Sequence, residues 1–214
     1  MTASSRRAFA LSFADTVPIL AKACELNIEA RGAIEARVRQ LQRLGLDAPG
    51  SLQSRKPAYG LLELAELATA FQFMAAFMLP KRAVRYVTEQ RETLLPFYLA
   101  GASPTAPTSW SGKSKYRDKR FAIIRGTGLV ELGQNEQHGK RYMGELSAID
   151  LVGDGSLSKA AKPLNGAGVV IDSAAFLPSL FAQTINHVFA SEAEVCLELD
   201  RIRFAALPIN SPPG

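Results

Sequence analysis

Between Leu61 and Met78 the chain places Leu61, Leu64, Ala65, Ala68, Phe71, Ala75 and Met78 at helical spacing, with Leu62, Leu67 and Phe73 on the flanks. A surface helix needs one apolar stripe, whereas a helix that is apolar around most of its circumference has to be surrounded by protein. The spacing therefore predicts a central helix over 61–78, with its neighbours arranged about it. Within it, the run Phe71 to Met78, with Met74 and Phe77, has the composition of a ligand box, but Met and Phe at helical spacing read first as core. Leu79-Pro80 breaks the helix. Pro80 suits a first helical position, where the missing N–H has no intrahelical partner to lose. It opens a shorter helix through Ala83, Val84 and Val87 that fades before Leu95-Pro96.

Upstream, Phe13 to Leu26 reads as a short helix with Ile19, Leu20, Ala23 and Leu26 on its apolar face, capped by Asp15 or Thr16 and ended by Asn27. The next helix is basic. Ile34, Val38, Leu41 and Leu44 or Leu46 make its buried stripe, and Arg31, Arg37, Arg39, Gln40 and Arg43 take the remaining surface. Gly45 stands where a helix stop is expected. On these residues alone, a solvated face of an ordinary amphipathic helix is the better reading.

The segment after Leu46 shifts that balance. Residues 47–58 are rich in Pro, Gly and Ser, a loop by composition, with Arg55 and Lys56 near its end and Tyr59 after it. A short hairpin here would hold the two cations at a tip and let Tyr59 pack back on the core. Such a tip suits phosphate contacts, because Lys and Arg release counterions from nucleic acid whatever the base sequence. The order Arg39-Gln-Leu-Gln-Arg43-Leu-Gly45-Leu46, loop, Tyr59, Leu64 to Phe77, Leu79 to Val87 resembles the DNA-binding domain of the MerR superfamily. The resemblance covers about 60 of the 214 residues. It implies a winged helix-turn-helix in which Arg39 and Arg43 fall at the end of the recognition helix and Tyr59 on the wing tyrosine. Gln40 and Leu41 stand where the family has paired tyrosines, and Pro57 where it has an arginine.

From Gly101 to Ser114 the sequence reads GASPTAPTSWSGKS, the composition of a linker. Beyond it the character changes. Phe121 to Ile124, Leu129 to Leu132, a loosely alternating Tyr142 to Val152 and Gly168 to Asp172 read as strands, with a turn at Gly153-Asp-Gly155. Ser173 to Ala190 reads as a helix, irregular before Pro178. Val195, Leu197 and Leu199 alternate with Glu194, Cys196 and Glu198 as a half-buried strand would, which puts Glu194, Glu198 and Asp200 on a solvated face. Gly126-Thr-Gly128 lacks the third glycine of a dinucleotide loop and reads as a turn, as does Asn165-Gly-Ala-Gly168.

Composition bounds the function classes. Apolar residues make up 47% and charged ones 21%, which a globular chain has and a disordered one does not. The net charge of +5 is unevenly spread. Six Lys/Arg against two acids lie between Arg31 and Lys56, and six against Asp118 alone between Lys113 and Arg125. Two cysteines far apart, Cys24 and Cys196, and two isolated histidines, His138 and His187, support neither a metal cluster nor a disulfide scaffold. Arg6-Arg7 is followed by an apolar run only from Ala8 to Ala14, short for an export signal, and nothing approaches the roughly 20 residues a bilayer needs.

The expectation is thus a basic flexible tail over 1–12, a mainly α winged helix-turn-helix domain over 13–100, a linker over 101–116 and a small α+β domain over 117–214. Function is expected to be sequence-specific binding of double-stranded DNA by a cytoplasmic transcription regulator, through Arg31, Arg37, Arg39, Gln40, Arg43, Arg55, Lys56 and Tyr59. The C-terminal part is expected to hold the homodimer contact or a small-molecule or protein effector. Neither a catalytic set, a metal, a cofactor nor a membrane partner is expected. An excisionase-like DNA-bending protein and a protein–protein adaptor on a winged helix remain open at this point.

Overall fold

The computed structural model describes residues 8–46, 58–113, 115–126, 146–161 and 168–205. The chain is mainly helical with one small antiparallel sheet. Helix α1 (Phe13–Ala23) starts at Phe13 as the sequence suggested, but its cap lies earlier than Asp15 or Thr16, in a capping box on Ser12. The Ser12 side chain accepts the Asp15 N–H at 3.3 Å, and the Asp15 carboxylate accepts the Ser12 N–H at 3.3 Å, so Asp15 is the third helical residue and not the cap. Residues 8–12 are correspondingly no free tail. Leu11 is buried and exchanges two backbone hydrogen bonds with Tyr59, at 2.8 and 3.0 Å.

A 3-10 turn (Ile28–Ala30), capped by Asn27, leads into α2 (Arg31–Arg43). Its buried residues are Ile34, Val38 and Leu41, with Leu46 closing the stripe after the helix while Leu44 stays at the surface. Helix α3 (Leu61–Ala75) buries all its residues from Leu61 to Phe71 and is the centre of the molecule, as its sequence requires. Helix α4 (Pro80–Glu89) starts on Pro80 as expected.

Four helix ends share one device. The residues after α1, α2, α3 and α7 (Ser173–Val188) turn into the left-handed region, and the following N–H reaches back to a carbonyl five residues earlier: Leu26 to Ala21, Leu46 to Leu41, Met78 to Phe73 and Ala190 to Ile185. Glycine is the residue that adopts this backbone without steric cost. Only Gly45 obeys; Glu25, Phe77 and Phe189 hold φ of 54°, 65° and 52° with full side chains.

Three expectations are corrected by packing. Helix α5 (Arg91–Ala102) runs straight through Pro96, where the sequence suggested a break. Proline removes one backbone hydrogen bond and crowds the preceding turn, but Leu94, Leu95, Phe97, Tyr98 and Leu99 are all fully buried, and their burial outweighs that loss. Helix α7 likewise continues through Pro178. The expected C-terminal strand is helix α8 (Glu192–Ala205), with Val195, Leu199 and Ile202 buried at helical spacing. The apparent alternation misleads because Glu198, which a half-buried strand would turn to solvent, is 1% exposed.

The sheet has strand β1 (Phe121–Arg125) in the middle, antiparallel to β2 (Asp150–Val152) on one side and β3 (Gly168–Asp172) on the other. Phe121 pairs with Val152 and with Asp172. A short helix α6 (Leu157–Ala161) follows β2, and β3 feeds directly into α7 with Asp172 as the cap. The expected strand over 129–132 lies outside the described residues.

The stretch expected as a linker is packed. Ala102, Ala106 and Trp110 are buried, the Ser103 hydroxyl donates to the Lys113 carbonyl at 2.7 Å, and the Trp110 Nε1 donates to Asp200 of α8 at 3.0 Å. Helix α7 lies against α1, α3 and α5, α8 lies against α3 and α5, and one hydrophobic cluster runs from Leu11 to Ile202. Contact between α5 and α7 is close at Gly101, where a Cβ would come within 2.6 Å of the Leu177 side chain. The described residues of 101–116 are therefore no break in the core.

Candidate nucleic-acid interface

Helix α2 packs on α1, the 3-10 turn and α4, which leaves its outer surface to solvent. Arg31, Arg37, Arg39 and Arg43 are exposed on it and Gln40 is half-buried. These side chains are organised rather than free. Glu35 accepts from Arg31 Nε at 3.0 Å and from Arg39 Nη2 at 3.4 Å, so one carboxylate offsets part of the charge of two arginines. The Arg39 guanidinium also sits 5.0 Å from the centre of the Phe13 ring, a cation–π contact that ties the end of α2 to the start of α1. Arg37 Nη1 donates to the Gln40 carbonyl at 2.8 Å, and Arg43 Nε donates to the Arg39 backbone carbonyl at 3.3 Å. Four arginines against one glutamate leave α2 strongly cationic, and exposed ion pairs of this kind are worth at most about 1 kcal/mol each, so a polyanion can displace them.

Tyr59 belongs to a different layer. It is 1% exposed, its hydroxyl is bonded to the Gln42 amide, and its burial raises its pKa. Its place as a contact residue is thereby corrected: it holds the segment before α3 against α2 and Leu11, and offers no surface to a partner. Arg55 and Lys56 lie outside the described residues.

Sequence reasoning missed a second polar constellation, inside the core. Glu63 and Glu66 of α3 and Glu198 of α8 are buried. Arg201 bridges the first and last, bonding to Glu63 and, at 3.1 Å, to Glu198. Glu198 also accepts the N–H groups of Ala8 at 2.8 Å and Leu61 at 3.4 Å, and Glu63 accepts that of Gly60 at 2.8 Å. A Cβ on Gly60 would fall within 2.7 Å of the Glu198 carboxylate, so this glycine is what lets the two carboxylates close around the start of α3. Burial pushes the Glu66 carboxyl up to about 7, against the opposing charge of Arg91, whose Nε lies 2.7 Å away. Buried charges paired in this way hold elements in one arrangement, and nothing in the cluster presents a nucleophile with its base. No local pattern could have revealed it, because its members come from positions 8, 60–66, 91 and 198–201.

The second basic cluster of the sequence is partly spent on structure. Arg120 is held by Asp172 at 2.6 and 2.7 Å and by Asp154 at 2.9 and 3.2 Å, which joins β3 and the turn after β2 to the start of β1. Those hydrogen bonds, to Asp172 first, raise its pKa.

Among the described residues no group of three or more His, Cys, Asp or Glu is placed to hold a metal ion, and no helix is long and apolar enough to cross a membrane. Fold and surface thus define a mainly helical protein with a small three-stranded antiparallel sheet and a cationic helix on its outside. Comparison of the chain with family models, curated proteins and solved structures finds no match in any of the three.

Proposed function

We propose that the protein is a sequence-specific regulator that binds double-stranded DNA through α2. The observation that carries this reading is the exposed outer face of α2, with Arg31, Arg37, Arg39 and Arg43 on a helix packed on its other side. Arginine is the side chain that reads guanine edges in the major groove bidentately and also holds phosphates. In this reading α1 and α2 form the helix-turn-helix, and Arg55 and Lys56, on the wing expected from the sequence, hold flanking backbone. Tyr59 anchors the root of that wing through Gln42. Replacing Arg39 and Arg43 together by Ala tests it. Binding to a selected duplex is abolished while the thermal midpoint is retained; binding that survives means that another surface touches DNA.

The protein acts in this reading as a homodimer, as a protein reading two half-sites does. Helix α8 supplies a suited surface. Leu197 and Phe204, seven residues apart on one face, are 64% and 52% exposed, and Phe189 just before the helix is 92% exposed. The helix is acidic at its start (Glu192, Glu194) and carries Arg203 in its last turn, so an antiparallel pair of copies matches opposite charges. Leu197→Glu yields a monomer by sedimentation if this face joins the copies, and an unchanged dimer if it does not.

A further inference from the structure

Helices α1, α2, α3 and α4 meet around a cavity of about 320 Å³, open to solvent. It is lined by Leu26, Phe71, Met74, Ala75, Met78 and Pro80, and Arg37 is the one charged side chain in the lining. We propose that this cavity is a binding site for a small amphipathic carboxylic acid, whose apolar body fills the cleft and whose carboxylate pairs with Arg37. The inference does not rest on DNA binding by α2.

Three features converge on the site. Its walls come from two helix ends of the same kind: Leu26 and Met78 are the residues that close the left-handed turns after α1 and α3. In such turns that position packs an apolar side chain back on its own helix. Here both line one shared opening, Leu26 half-buried and Met78 buried at 3% exposure. The second feature is the turn residue between Ala75 and Met78. Phe77 is 96% exposed at φ 65°, so the chain accepts a strained backbone and an exposed ring at one position beside the cleft. Glu25 and Phe189 hold the same backbone conformation at other helix ends, so what Phe77 adds here is exposed apolar surface beside the cleft. Leu79, 47% exposed, extends the apolar surface on the same turn.

The third feature is the chemistry of the lining. Methionine has three rotatable bonds and a polarizable sulfur, so Met74 and Met78 can reshape around a ligand without a fixed outline. A mostly apolar cleft with a single placed polar group is the usual form of a small-molecule site, the polar group fixing orientation. That group is a guanidinium whose one hydrogen bond among the described residues is to the neutral Gln40 amide, so its charge is not matched there by a carboxylate. A carboxylate pairs with it bidentately, on a head group small enough to leave the apolar body in the cleft. A neutral ligand would leave the cation at the mouth without an anion, and a polyanion would have no use for six apolar walls.

The chain has four methionines, Met1, Met74, Met78 and Met143, so its methyl resonances report directly on this site. Full-length protein carrying 13C-methyl methionine is titrated with octanoate, with 1-octanol as the neutral control. Saturable shifts of Met74 and Met78, with Met1 and Met143 unmoved, are expected. Octanol should bind at least about tenfold more weakly, a difference of about 1.4 kcal/mol, and Arg37→Leu should bring octanoate down to the affinity of octanol. Ala75→Trp, which fills the opening, should abolish the shifts with either ligand. The proposal is overturned if Met74 and Met78 do not respond at millimolar octanoate. It is equally overturned if all four methionines shift together, or if octanol or the Arg37→Leu protein binds as well as octanoate binds the unchanged chain.

Discussion

Glu198, in the last helix, accepts the backbone N–H of Ala8, 190 residues earlier, at 2.8 Å. The same carboxylate is 1% exposed and shares Arg201 with Glu63, so the chain's first described residue, the central helix and the last helix are tied at one point. Removing one partner from a buried ionic group costs more than the group contributes, because the rest is left uncompensated. Glu198→Ala should therefore lower unfolding stability by about 3–5 kcal/mol in urea titrations at pH 7. A loss under about 1 kcal/mol would mean that water reaches the cluster and screens it.

Glu66 makes stability depend on pH in an unusual direction. Its folded carboxyl titrates at about 7, above the 4.5 of the free side chain, so the folded state binds the proton more tightly than the unfolded one. The stability this provides is complete below pH 4.5 and lost as pH rises to 7, a change on the order of 3 kcal/mol. The groups facing it are Arg91, Glu63, Arg201 and Tyr98. Glu66→Gln should flatten that slope and be more stable than the parent at pH 8, as read from thermal midpoints between pH 5 and 8. A slope of unchanged steepness in the variant assigns the effect to another group.

Trp110 is the only tryptophan, and it is buried with its Nε1 bonded to Asp200. Because one core spans both sides of its segment, the protein should unfold in a single step. Tryptophan emission and far-UV circular dichroism should give coincident urea transitions, with emission moving to the red as the ring is released. Two separated transitions would restore the division into independent domains that the composition of 101–116 suggested.

The parts of the fold legible in the sequence are those set by local rules. The starts of α2, α3 and α4 and the strands β1 and β3 follow from periodicity, Pro80 at a first turn and β-branched runs. The outer arginines of α2 are exposed as read, since exposure follows from the buried stripe of Ile34, Val38 and Leu41. Three features were not legible. Pro96 lies inside α5 because the burial of residues on either side of it overrides a backbone preference. Glu198 disguised α8 as a strand because its partners are Ala8, Leu61 and Arg201. Tyr59 packs on the core as read, but its full withdrawal from the surface was not legible, because Leu11 pairs with it across 47 intervening positions. Each miss comes from contacts between residues distant in sequence, which no window of a dozen residues contains.

DNA binding by α2 would show first in the salt dependence of the affinity. Fluorescence anisotropy of labelled random-sequence duplex with the full chain, from 20 to about 200 mM salt, reads the number of phosphates neutralised. DNA binding by α2 predicts measurable affinity at low salt, a linear fall of log affinity with log salt, and loss of that binding once Arg39 and Arg43 are both Ala. Affinity that stays undetectable at the lowest salt would contradict it.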